Sequence, residues 1–394
     1  MREPVTVTLR TLTPLWTGGA GGTPDRVHVT GLVGSLRWWY EALVRGLGSH
    51  ACDPTAKESG SRDSFDADAY DEARRDGLSE AEALREGLRP LCPACYLFGA
   101  TGWARLVQVQ VVKEPPTTPL HFRSQVRMNR TWLCSIFGGE AKDIQGIRVP
   151  HGQLELRLVA RGHDGEFALR QFLLALRLAE QYGGLGAKLQ HGFGQVQIIE
   201  PRAAADEWRA GLQELADRLG RDGLHRQASD LATPYDLNRM VSLEYPVPKA
   251  GLERLESRDA HVGAPEKQSE TAYVPCALDL RYKGQGRWGF RRWLEDPADG
   301  KGWPQSKVNA LMGISKKRGD PETDDDRQAS RLCFGMPHRI DGERYRLRVF
   351  GFAPQGVVTP EELRDLCHEY MRRILDVEPA RETLGRDLLA GLRR

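Results

Sequence analysis

The sequence predicts an α+β protein of two ferredoxin-like domains, each an antiparallel sheet with helices on one face. Three observations predict it. Residues 1–202 carry short alternating segments on either side of two apolar-periodic helices. A chain of 394 residues is too long for one ordinary core. A thinner echo of the same element order recurs across residues 236–394.

The elements follow in order. Val5 to Leu9 alternates like a half-buried strand, and the turn-rich loop Trp16 to Pro24 follows. Thr30 can then cap a helix with Leu32, Leu36, Trp39 and Leu43 on one stripe. Residues 53–90 form an acidic insertion, with eleven acids against five bases over 53–86, and read as an exposed, solvated segment. Leu106 to Val112 and Gln153 to Val159 alternate again. Leu169, Phe172, Leu173 and Leu176 mark a second helix, and Gln195 to Ile199 the last strand. The order is β-α-β-β-α-β, the ferredoxin-like arrangement. Residues 203–235 read as a helical connector. Beyond it, Val274 to Arg281 reads as a strand and Arg287 to Glu295 as a short helix. Tyr345 to Phe350 reads as a strand and Glu361 to Leu375 as an amphipathic helix. The final strand of this second unit is missing or disguised, and Pro297 to Asp326 reads as a mobile polar loop.

Composition sets limits. Hydrophobic content of 40% and charged content of 28% describe a globular chain. With no apolar run of spanning length and no apolar core at Met1 to Thr6, the expected compartment is the cytoplasm. Seven cysteines, an odd number, do not read as a disulfide framework. At a net charge of +2, a nucleic-acid surface has to be a local basic patch, such as Arg105, Arg123 and Arg127.

The segment Gly183-Gly-Leu-Gly-Ala-Lys-Leu-Gln-His-Gly-Phe-Gly194 joins a helix to a strand. Its glycines permit positive φ and close backbone approach. Exposed N–H groups beside Lys188 suit an anion, and an aromatic such as Phe193 suits a base. Gly184, Gly186, Lys188, Gln190, His191 and Phe193 are therefore candidate RNA contacts; the other reading is a tight structural turn. The order is the reverse of a dinucleotide fingerprint, which follows a strand and opens a helix. Gly18 and Gly19 form a comparable turn after the first strand. Arg37 and Trp38 fall off the apolar stripes of the first helix, so they are expected to face outward for phosphate contact and stacking. Cys92-Pro-Ala-Cys95 has metal-ligand spacing. With Cys52 and His50 across the insertion it would complete a tetrahedral zinc site; otherwise these are packed or free thiols. An acid–base ribonuclease would draw on His28 or His191, but neither has an evident proton-transfer partner in the sequence.

Four blocks together resemble a known family: Thr13-Pro-Leu-Trp-Thr-Gly-Gly19, Gly34-Ser-Leu-Arg-Trp-Trp-Tyr40, Cys92 to Gly99 with Thr101-Gly-Trp103, and Gln190-His-Gly-Phe-Gly194. They look like a RAMP protein of type III CRISPR systems, most like the first subunit of the Cmr (type III-B) effector complex. The resemblance implies a non-catalytic RNA-binding subunit seated near the crRNA 3′ end beside other RAMP subunits, helping to engage guide and target RNA in antiviral defence. The alternative within the same superfamily is a metal-independent endoribonuclease that processes CRISPR RNA with His28 or His191.

Overall fold

The computed structural model describes residues 3–19, 23–53, 63–122, 144–162, 164–201, 205–221, 235–248, 251, 272–274, 276–281, 289–314, 328–342, 344–390 and 392. The first half contains β1 (Val5–Thr11), α1 (Val29–Gly46), α2 (Ala67–Arg75), α3 (Glu80–Leu88), α4 (Pro93–Phe98), β2 (Val107–Lys113), β3 (Thr117–Phe122), β4 (Ile144–Pro150), β5 (Gln153–Ala160), α5 (Gly165–Tyr182) and β6 (Val196–Glu200). Strands β2-β5-β1-β6 form one antiparallel sheet, the ferredoxin-like order. The alternation in β1 sends Val7 and Leu9 inward, under Leu32, Leu36, Trp39 and Leu43 of α1 and Phe172, Ala175 and Leu176 of α5. Thr6 and Arg10 point to the opposite, polar face. The hairpin β3–β4, which the sequence reading did not anticipate, is inserted between β2 and β5. Helix α1 starts one residue before Thr30, with His28 at its N-cap. The described part of the acidic insertion is a pair of mostly exposed helices. Asp66 caps α2, and a Ser79–Glu82 capping box starts α3.

Helix α6 (Ala205–Arg221) follows. The second half contains β7 (Met240–Val247), α7 (Ala277–Arg281), α8 (Phe290–Glu295), α9 (Gln305–Met312), β8 (Leu332–Phe334), β9 (His338–Asp341), β10 (Arg344–Phe352), α10 (Pro360–Leu375), β11 (Arg381–Leu384) and α11 (Gly385–Leu389). Strands β11-β7-β10-β8 repeat the first sheet's order, with β9 paired to β10.

Three expectations are corrected here. The first strand of this sheet is β7, while the segment expected as a strand at Val274–Arg281 carries helix α7. The missing final strand is β11, paired antiparallel to β7. The expected loop at Pro297–Asp326 contains α9; its residues 315–326 lie outside the described set.

The second sheet is covered on both faces. Leu243, Tyr245 and Leu347 pack under α10, through Leu363, Cys367, Tyr370 and Met371. The other face meets the first half: Phe350 and Phe352 join the core around Trp39. Arg348 donates from Nη1 to the carbonyls of Glu180 (2.6 Å) and Gly183 (3.2 Å), two of the carbonyls that α5 leaves without helical partners. Its charge is balanced by Glu244 at 2.6 Å. Among the described residues, no helix is long and apolar enough to cross a membrane.

Candidate nucleic-acid interface and metal centre

The glycine-rich segment begins where α5 stops. Gly183 lies against the rings of Trp39 and Phe350, and the Trp39 indole N–H donates to the carbonyl of Gly184 at 3.0 Å. Leu185 N donates to Gly194 O at 2.8 Å and closes the loop on itself. The loop is also laced to the turn after β1. Gly194 N donates to Pro14 O (2.8 Å) and Ala187 N to Trp16 O (2.7 Å), while Gly186 N donates to Ser35 Oγ of α1 (3.1 Å). The two glycine-bearing turns therefore share one site.

Gly194 shows why glycine is required. Its φ is +79°, and a Cβ there would stand 2.0 Å from the Leu185 carbonyl oxygen. Gly194→Ala is expected to cost about 1–3 kcal/mol in left-handed strain alone, with the clash added. The measurement is hydrogen exchange of the Leu185 amide, which should quicken in the variant. An unchanged rate would show that the loop tolerates the side chain.

Lys188 also has a left-handed φ of 58°, and Leu189–His191 forms a single 3-10 turn after it. The Lys188 ammonium sits 4.0 Å from the centroid of the Trp16 ring. Burial pushes its pKa down to about 8. Trp16 is in turn braced edge-on by Phe193, with centroids 5.4 Å apart.

The loop divides in two. Gly18, Gly19, Gly186, Lys188 and Gln190 retain partial exposure on the outer side. His191 and Phe193 are sealed, at 2% and 1% exposure, and Gly192 abuts Met336 and Ala277 of the second half. Burial, with Arg281 and Lys188 nearby, holds the His191 imidazole far below its ordinary range, so it is neutral. His191 and Phe193 are thus packing groups, because the second half covers this side of the loop. His28 is partly exposed; its ring lies on Gly19 and its Nε2 is 3.4 Å from Asp25 Oδ1.

Arg37 and Trp38 do not face outward as the helical stripes suggested. Trp38 packs edge-on against Trp39, Tyr235 and Phe352. Arg37 turns toward the cysteines. It donates to Glu41 Oε1 (2.7 Å), Gly99 O (2.8 Å), Cys95 Sγ (3.1 Å) and Cys52 Sγ (3.4 Å). Arg105 stands beside Gly99, close to this cluster in the chain. Arg123 and Arg127 lie outside the described residues.

The cysteines do converge. Cys52 Sγ lies 3.2 Å from Cys95 Sγ and 3.8 Å from Cys92 Sγ. A tetrahedral zinc with Zn–S bonds of about 2.3 Å needs sulfurs about 3.8 Å apart, so the trio is nearly set for the ion. The fourth member is Asp63. Ligand atoms of Cys52, Asp63, Cys92 and Cys95 all lie within 4.8 Å of one another, and His50 is not part of that group. Asp63 Oδ2 is positioned by the Cys92 backbone N–H at 2.6 Å. Hydrogen bonds from Cys92 and Cys95 hold the Cys52 thiol far below the ordinary thiol range, and Arg37 adds its positive charge. These four residues could hold a metal ion, and their donor set suits zinc.

Residues 8–197 match the family model of the RAMP superfamily. The matched span runs from β1 into β6 and contains both glycine turns, α1 and the cysteine cluster. Among curated proteins, none matches the chain. The chain is similar to Cmr1 from Pyrococcus furiosus in its apo form, at 15% identity and a TM-score of 0.41, over 96% of this chain and 98% of that one. It is also similar to a chain of the type III-B Cmr-beta complex bound to cognate target RNA and AMPPnP, at 12% identity and a TM-score of 0.46, over 94% and 99%. A chain of a type IV-B CRISPR complex matches at 13% identity and a TM-score of 0.31, over 52% and 93%.

Proposed function

We propose that this chain is a non-catalytic, RNA-binding subunit of a type III-B CRISPR effector complex, acting in the cytoplasm. It sits among other RAMP subunits near the crRNA 3′ end and helps to engage guide and target RNA. The observation that carries this reading is the Lys188 platform: a cation poised over Trp16, flanked by half-exposed glycines, inside the span that matches the RAMP family model. A phosphate and a stacked base suit that combination. The ribonuclease reading is the weaker one, because His191 is sealed and neutral and only His28 reaches solvent. A structural zinc ion on Cys52, Asp63, Cys92 and Cys95 completes the proposal, pinning both ends of the insertion beside α1.

The test is salt-dependent binding of single-stranded RNA by the full chain. Lys188→Ala is expected to weaken binding for all sequences and to reduce the slope of log K against log salt by about 0.7, the contribution of one single-strand phosphate contact. Binding by the unmodified protein should also decline as pH rises through about 8, where Lys188 loses its charge, and Lys188→Arg should remove that decline. Equal affinity and slope for Lys188→Ala and the parent would remove Lys188 as a contact.

A further inference from the structure

A cleft of about 700 Å³ opens between the two sheets, away from the glycine turns. The first sheet contributes the polar row Gln153–Arg10–Gln197, aligned across β5, β1 and β6 by register. The second contributes the row Arg381–Glu244–Arg348 across β11, β7 and β10, and beside it the pair Arg346–His338 across β10 and β9. Arg177 and Glu180 of α5 and Arg339 of β9 also line the space.

Six arginines therefore surround two carboxylates. Arg348 is fully engaged with Glu244 and the end of α5. Arg177 is held by Glu180 Oε2 at 2.8 Å and by Pro201 O at 3.1 Å. Arg10, Arg346 and Arg381 supply the surplus. Arg10 is exposed and makes no ion pair among the described residues. Arg346 shares Glu244 at 3.3 Å, and that carboxylate is already bound to Arg348. Arg381 lies over the Tyr182 ring, 5.7 Å from its centroid.

Two imidazoles also line this space with nitrogens that find no hydrogen-bond partner: Nδ1 of His338, which is 4% exposed, and Nε2 of His151. Burial, and then the charges of Arg348 and Arg346, push His338 down to about 4, so it is neutral at physiological pH.

We infer that this cleft is a second nucleic-acid site, which takes a phosphodiester-linked stretch of single-stranded RNA. Arg10, Arg346 and Arg381 contact its phosphates, while His151 and His338 form part of the neutral wall between them. Cations arranged in rows on facing sheets suit successive phosphates of a chain better than one isolated anion, and arginine's fork matches phosphate geometry. A volume of this size accommodates an unpaired nucleotide or two. The inference concerns separate residues from the Lys188 platform and stands or falls apart from it.

The test uses full-length protein and a short fluorescein-labelled single-stranded oligoribonucleotide, with binding read by anisotropy over a salt series. The triple variant Arg10→Ala/Arg346→Ala/Arg381→Ala is expected to lose about 2 from the log–log slope, at about 0.7 per contact, whether or not Lys188 is intact. At about 0.1 M salt, relative to 1 M, each lost contact corresponds to about fivefold weaker binding. Should the triple variant fold poorly, Arg10→Ala alone reads a single contact. Unchanged slope and affinity in these variants would overturn the inference, even if Lys188→Ala shows its own effect. AMP or inorganic phosphate binding that the triple variant abolishes, with RNA binding untouched, would likewise overturn it in favour of a small-anion pocket.

Discussion

Glu244→Ala is expected to destabilise the protein by about 3–5 kcal/mol, because it leaves the Arg348 guanidinium buried without its counter-charge. Both side chains are nearly sealed, at 6% and 7% exposure. Removing the outer partner should matter far less: Arg346 is 40% exposed, and Arg346→Ala should cost below about 1 kcal/mol. Urea midpoints of the two variants test the contrast, and equal shifts would contradict it. The double variant Glu244→Leu/Arg348→Met should recover part of the loss, since no lone charge remains.

The same pair sets an acid limit. Burial pushes the Glu244 carboxyl up, but Arg348, Arg346 and Arg381 outweigh it and hold the carboxyl below the usual range. A depressed carboxyl contributes stability above its unfolded value of about 4.3, and that contribution fades as pH falls toward the folded value. The gap between parent and Glu244→Ala should therefore be full above about pH 5 and shrink on acidification.

Chelator-washed protein supplied with zinc is expected to take up one ion per chain, and Cys92→Ser or Asp63→Ala should weaken or abolish uptake while His50→Ala leaves it intact. Structural zinc contributes about 10–16 kcal/mol of apparent binding free energy in small peptides, so its removal should be the larger perturbation if the insertion depends on it. Without the ion, three thiols, a carboxylate and Arg37 remain crowded together, and helices α2 and α3 lose their tether to α1. Limited proteolysis should then cut within the insertion sooner. If zinc-treated and chelator-treated protein show the same metal content and cleavage rate, the cluster is a thiol pocket rather than a metal centre.

Much of the first sheet was legible because each of its strands keeps one face toward solvent or the cleft, which preserves the period-2 pattern in β1, β2 and β5. Strand β7 was not legible for the opposite reason. Ser242 and Glu244, which alternation would place outside, are buried against the first half. Strand β11 is four residues long and mostly polar, too short to show a period. Helix α7 was read as a strand because Cys276, Leu278 and Leu280, all buried, alternate in the sequence.

The candidate site divides the same way. The glycine turns and cysteine spacing were visible because each is local in sequence. Arg37's inward turn was hidden, since a helical wheel cannot see the cysteines that flank it. Asp63 was hidden among the insertion's many acids. The cleft was invisible because its arginines come from five separate elements.

The grip of Arg348 on the last carbonyls of α5 has a consequence for biogenesis. A nascent chain that has emerged only through β6 already carries every glycine of the two turns, Lys188 and Trp16, yet the end of α5 is still unfastened and the far side of the loop lacks Met336 and Ala277. The Lys188 platform is therefore expected to set only after β10 has left the ribosome, which makes the trailing half a built-in scaffold for the leading one.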